Sequence, residues 1–194
     1  MGKELFIQRC EREIASGGPD MRLKGKKAAI LVEDIYNEFE VWIPYYRLKE
    51  EGVEVTVVGS GTSQVYHGKY GIPVTADKKA SEVSADAFDA VLIPGGYAPD
   101  KMRIHPEMVA LVREAFLKGK VVACICHGGW MLVSAGILKG KRATSYVAIK
   151  DDMINAGALW EDAEMLRDGN LITSRKPDDL PAFCREMIAA MEGK

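Results

Sequence analysis

Short, almost wholly apolar runs alternate with amphipathic segments along most of this chain. Residues 27–32, 53–58, 90–93 and 120–125 are aliphatic and β-branched and too brief for helices, so each predicts a strand. Between them, Glu38 to Glu51 carries helical spacing, with Phe39, Trp42, Ile43 and Tyr46 on one side and Gly52 as its stop. His105 to Lys118 is a second amphipathic helix, closed by Gly119. Gln64–Tyr66 and Ile72–Thr75 predict a hairpin across the turn residues 67–71. Strands that alternate with helices and are apolar on both sides predict an α/β fold, a parallel sheet covered on both faces. In such sheets chemistry gathers at the carboxyl ends of the strands. Gly95-Gly96, the turn after residue 125 and the loop before Glu40 all fall on that edge.

Beyond Ala135-Gly136 the pattern loosens. Residues 142–146 predict a strand, Asp151–Ala156 a short helix, 158–165 and 170–173 further strands, and Leu180–Met191 a terminal helix. Residues 1–26 differ in character: Leu5, Ile7, Cys10 and Ile14 stripe a short helix before the Gly17-Gly18-Pro19 break. This predicts an N-terminal extension, a docking arm or loose appendage, ahead of one domain over 27–194. A chain of 194 residues can bury a full core. Its formal charge of −2 argues against a nucleic-acid groove or a polybasic membrane patch. No apolar run approaches the ~18 residues of a membrane span, and the start has neither a signal-peptide nor a myristoylation pattern. Cys10, Cys124, Cys126 and Cys184 are scattered rather than spaced as a disulfide framework, so a reducing cytoplasm is expected.

The candidate chemistry centres on Cys126. The stretch Val121-Val122-Ala123-Cys124-Ile125 runs into Cys126-His127-Gly128-Gly129 and then into the helix-like Trp130-Met131-Leu132-Val133. Strand, abrupt turn, helix is the pattern of a nucleophile elbow. Helix-start N–H groups and the positive end of the helix dipole stabilise a thiolate, which predicts a thiol lowered from about 8.5 toward 4–7. The plainer alternative is a buried strand-end cysteine beside an incidental histidine. Gly95-Gly96, one strand away, lets backbone approach a ligand and, with the His127 N–H, could form an oxyanion hole; alone it is also a tight turn. Pro44 removes the helical partner of the Glu40 carbonyl, so Glu40 either points into the site or is an ordinary helix-start acid. Cys-x-Cys-His lacks a second ligand pair, so no metal is expected, and Cys124 fits a small core residue. His67 and His105 fit surface positions. The glycine pairs match no phosphate-cradling fingerprint, and no cofactor is expected.

Ile125-Cys126-His127-Gly128, Pro94-Gly95-Gly96-x-Ala98-Pro99-Asp100-x-x-Arg103, Thr144-Ser145-Tyr146 and Asp151-Asp152-Met153-Ile154-Asn155-Ala156-Gly157 resemble the PfpI-type intracellular proteases of the ThiJ/PfpI superfamily. Pro44-Tyr45-x-Arg47-Leu48-Lys49-Glu50-Glu51-Gly52, Asp168-Gly169-Asn170 and Ser174-Arg175-x-Pro177 fit as well, in order, from about residue 27 to 192. The resemblance implies a flavodoxin-like sandwich of the class I glutamine amidotransferase kind, with Cys126 as nucleophile and His127 as its histidine. It implies that Asp100 is the acidic member, supplied across a subunit interface, so that the protein is a homo-oligomer. It also implies Glu40 against the nucleophile sulfur, oxyanion-hole amides at Gly96 and His127, and Tyr146 with Gly95 at the substrate pocket. Two positions depart: Asp100 is one methylene shorter than the glutamate of the type member, and Asn37 stands where many relatives carry a second carboxylate.

The function expected is that of a cysteine-nucleophile enzyme acting on small carbonyl or peptide substrates. The resemblance leaves peptidase, glyoxalase and deglycase open, since all begin with thiolate attack on a carbonyl. The alternative is a redox-responsive stress protein in which Cys126 oxidises and turns over little. A glutaminase subunit fits less well, because the histidine directly follows the nucleophile.

Overall fold

A computed structural model describes residues 21–193. The predicted N-terminal helix, with Cys10, lies outside them.

The elements in chain order are β1 (Lys27–Val32), α1 (Glu38–Glu50), β2 (Glu54–Gly59), β3 (Val65–His67), β4 (Pro73–Thr75), β5 (Lys78–Lys79) and β6 (Ala90–Ile93). They continue with α2 (Ala98–Met102), α3 (Pro106–Leu117), β7 (Val121–Ile125), α4 (Gly129–Ala135), β8 (Arg142–Ala143) and α5 (Lys150–Asn155). β9 (Leu159–Trp160), β10 (Met165–Asp168), β11 (Leu171–Ser174) and α6 (Leu180–Glu192) complete the described chain. The central sheet has the order β10-β11-β7-β6-β1-β2-β5. Every pairing in it is parallel except that of β10 with β11 at one edge. The five long parallel strands thus run 2-1-3-4-5 in order of appearance, the flavodoxin-like winding, whose switch point lies between β1 and β6. The apolar runs are strands because both faces are covered: every residue of β6 and β7 is buried, as are Ala28 to Val32 of β1.

Three expectations need correction. The apolar side of α1 does not face the core: Phe39 is 50 % and Tyr46 64 % exposed, whereas Glu38, Glu40, Val41, Pro44 and Leu48 are buried. In the first turn the inward side looks onto polar backbone groups, for which Glu38 and Glu40 serve as acceptors, whereas Val41 and Leu48 join the hydrophobic core. Residues 142–146 form only the two-residue β8, because Tyr146 N–H turns back to donate to the Cys126 carbonyl at 3.3 Å. The span 158–165 is likewise not one strand: β9 pairs with β8 in a small parallel sheet, and β10 begins at Met165.

Residues just before β1 pack onto the sheet. Leu23 is buried, its N–H donates to the Glu51 carbonyl at 2.9 Å, and the Arg22 guanidinium pairs with the Glu51 carboxylate. Among the described residues no helix is long and apolar enough to cross a membrane.

Candidate active site

β7 delivers Cys126 to the carboxyl edge of the sheet, and a single turn, Cys126–Gly128, separates it from α4. The turn is tight enough to force Cys126 to φ 61, a left-handed conformation that a non-glycine residue rarely holds. Ile35, after β1, is the one other described non-glycine residue at positive φ, at 67, and it lines the same cleft as Cys126. Each such conformation costs of order 1 kcal/mol or more, and such strain gathers at functional sites. The incidental-cysteine alternative gives no reason for it.

Three further segments close around the sulfur. Gly95 follows β6, and its N–H donates to Glu40 Oε2 at 2.6 Å. A Cβ on Gly95 would lie 2.6 Å from Cys126 Cβ and 2.7 Å from Glu40 Oε2, so only glycine lets these two side chains meet. Gly96 has φ 73, and a Cβ there would lie 2.4 Å from the Ile35 carbonyl oxygen. The amides of Gly96 and His127 both point at the sulfur. His127 Nδ1 is 3.2 Å from Cys126 Sγ. The imidazole is held between Tyr146, stacked at 5.0 Å, and the edge of Trp130 at 5.2 Å.

Glu40 is fully buried, which removes the reading of it as an ordinary helix-start acid. Its Oε1 has no hydrogen-bond partner among the described protein atoms. Asp100 sits on the five-residue α2 and makes no hydrogen bond or ion pair with His127 within the chain. Asn37 does not stand in for a carboxylate at the thiol: its side chain caps α1, accepting from the Phe39 N–H at 3.1 Å.

The electrostatics differ from the sequence expectation. Burial pushes the Cys126 thiol up to about 12, and the adjoining Glu40 charge pushes the same way, against the pull of the Gly96 and His127 amides. Desolvation outweighs the helix start because the sulfur lies under the surface and α4 is only seven residues long. Glu40 is itself pushed up to about 7, chiefly by burial, with the Gly95 amide opposing. The two acids adjoin, so they titrate as a pair, and a proton on Glu40 removes the charge that holds the thiol up. His127 is lowered, first by burial and then by the nearby Lys69 charge, which leaves its ring neutral and able to accept a proton.

The raised Glu40 pKa ties this site to stability. Between pH 4.5 and about 7 the folded chain holds a proton that the unfolded chain has released, so stability falls as pH rises through that window. A shift from 4.5 to about 7 corresponds to roughly 3 kcal/mol. Glu40→Gln, which still accepts from Gly95 and never ionises, should therefore melt higher than the parent at pH 8–9, by on the order of 5–10 °C. The gap should close toward pH 4. Calorimetric melts across pH check this, and a gap that does not change with pH would show an ordinary carboxyl.

The site opens into a cleft of about 360 Å³ lined by Cys126, His127, Tyr146, Gly96 and Asn37, together with Ile35, Lys69, Tyr97, Lys176 and Pro177. Lys69, Tyr97 and Lys176 were not singled out from the sequence. They come from a hairpin turn, a strand-end loop and the segment after β11, and nothing local in the sequence ties those places together.

The sequence model of the DJ-1/PfpI family matches residues 26–190. Deglycase PfpI of Pyrococcus furiosus is 45% identical over 166 residues, covering 86% of this chain and 99% of that protein. General stress protein 18 of Bacillus subtilis is 39% identical over 170 residues, covering 87% and 99%. Among solved structures, Drosophila melanogaster DJ-1beta superposes with a TM-score of 0.81 at 29% identity, covering 87% of this chain and 91% of that one. An Anabaena variabilis protein with DJ-1/ThiJ/PfpI-like and ferritin-like domains gives 0.84 at 47%; this chain spans about half of it, 48%. The elbow cysteine, the buried glutamate against it and the winding of the sheet thus stand in a chain that belongs to the DJ-1/PfpI family.

Proposed function

We propose that this protein is a cysteine-nucleophile enzyme that acts on carbonyl compounds, in the manner of a deglycase, glyoxalase or peptidase. The observation that carries the reading is Cys126 Sγ at 3.2 Å from His127 Nδ1, on a strained elbow, with two amides aimed at the sulfur. His127 takes the thiol proton at Nδ1, and the sulfur adds to the carbonyl carbon as the carbonyl π pair moves onto oxygen. The Gly96 and His127 amides meet that oxyanion, and the proton returns from His127 as the adduct breaks down. With a pKa of about 7, Glu40 is about half protonated at neutral pH, and its protonated form keeps a second negative charge away from the sulfur. Relatives named deglycases support an enzyme and weight the choice toward glycated amines.

The site is composite in this proposal, with Asp100 of one copy orienting His127 of another. Two observations support it: His127 finds no acid among the described residues of its own chain, and the large apolar side chains flanking α2, Tyr97 and Ile104, are exposed.

Kinetics against methylglyoxal, glycated peptides and casein, with Cys126→Ala as control, test the function. Turnover of none of the three, or equal turnover by the control, defeats it. The redox-sensor reading is favoured by one feature: Glu40, once protonated, can donate to an oxidised sulfur. An intact-mass gain of two oxygens on Cys126 after mild peroxide, in a protein inactive on all three substrates, would establish that reading instead.

A further inference from the structure

The charges around the cleft are one-sided. Lys69 and Lys176 stand on its wall, and no carboxylate lines it among the described residues. Lys176 is partly neutralised by Asp178 at 3.0 Å. Lys69 has no carboxylate within ion-pair distance among the described residues. Its ammonium lies 4.8 Å from the Tyr70 ring centre, and its charge is felt at both His127 and Glu40.

Lys69 is also held firmly for a residue in a hairpin turn. Its own N–H donates to the Tyr36 carbonyl at 2.9 Å. The buried Glu38 carboxylate accepts from the Tyr70 N–H at 2.7 Å and the Ile72 N–H at 3.4 Å. Tyr36 Oη donates to the Ile72 carbonyl at 2.6 Å. The turn is thus tied to the loop after β1 and to the first turn of α1, the segments that carry Ile35 and Glu40. The backbone that carries Lys69 is anchored, and a cation that shares the cleft with the nucleophile favours ligands of negative charge.

We infer that the cleft takes carbonyl compounds bearing a carboxylate beside the carbonyl, with Lys69 as the specificity-determining residue. This rests on the proposed cysteine chemistry for the carbonyl half of the substrate, whereas the anion preference rests on Lys69 and the cleft alone. The small cavity suits short 2-oxo acids and the exposed ends of acidic glycated groups. The Lys69 ammonium pairs with the carboxylate and leaves the neighbouring carbonyl carbon facing Sγ.

The test compares alkylation of Cys126 by iodoacetate and by iodoacetamide, located by peptide mass. Both transfer a CH₂ group to sulfur and release iodide; they differ in charge. At low salt the iodoacetate-to-iodoacetamide rate ratio in the native protein should exceed that of the same thiol in the urea-unfolded chain by about fivefold, the size of one ion pair in a water-like medium. The excess should fade as salt rises. Lys69→Met should remove most of it and Lys69→Arg should keep it, a pattern that a merely structural role would not give. A native ratio equal to the unfolded one, or one that Lys69→Met leaves intact, overturns the inference. Alkylation needs no turnover, so an enzyme inactive on every carbonyl tested would defeat the proposed chemistry while the ratio still decides the anion preference.

Discussion

Replacing Cys126 with serine should lower kcat/KM toward carbonyl substrates by at least ~1000-fold while the fold stays intact. A hydroxyl fills the same space at the elbow, and the Gly95 contact tolerates it. Burial already pushes the thiol up to about 12, and only proton transfer to the 3.2 Å imidazole makes the anion available. A hydroxyl starts far higher and is raised by the same desolvation, so His127 cannot take its proton. Initial-rate kinetics beside a melting curve check both halves. Full activity in the serine variant removes Cys126 from the mechanism.

The second large effect concerns Asp100. Asp100→Ala should raise the barrier by ~2–4 kcal/mol, as loss of an orienting acid does in other triads. The sharper result is complementation. Inactive Cys126→Ala chains mixed with Asp100→Ala chains, under conditions that exchange subunits, should regain activity. In a two-fold assembly half of the random pairs are mixed and each mixed pair holds one complete site, so recovery should approach about a quarter of the parent's. An acid acting within its own chain gives none. Fluorescence exchange between labelled chains must accompany the assay. No recovery despite proven exchange, or sedimentation as an active monomer, sinks the composite site.

The strands of the central sheet were legible because burial on both faces leaves a signature that needs no partner to read: Ala28 to Val32 and Ala90 to Ile93 are apolar at every position. The elbow was legible for a related reason, since a strand must stop and a helix begin within a few residues. α1 was misread because its environment is assembled from afar. Glu40 answers the Gly95 amide across 55 residues and Glu38 the Tyr70 amide across 32, and Phe39, Ile43 and Tyr46 lie on the outer side. The thiol shift was misjudged for the same reason: the helix start is local and visible, whereas the burial and the Glu40 charge that outweigh it are not. Residues 142–165 follow the site rather than a period, bending so that Tyr146 reaches His127.

Glu40 on α1, Gly95 after β6 and Cys126 after β7 meet only where β1, β6 and β7 pair, which has a consequence for how the chain comes to be folded. These strands adjoin in space but are far apart along the chain, so sulfur acquires its surroundings only when all three lie side by side. Long-range parallel pairing of this kind is slow compared with helix formation. Until it is complete, Cys126 is an ordinary thiol open to any oxidant or alkylating agent. The nucleophile is thus most vulnerable during synthesis and refolding. Its protection from a pulse of reagent marks, chain by chain, the moment at which the middle of the sheet has closed.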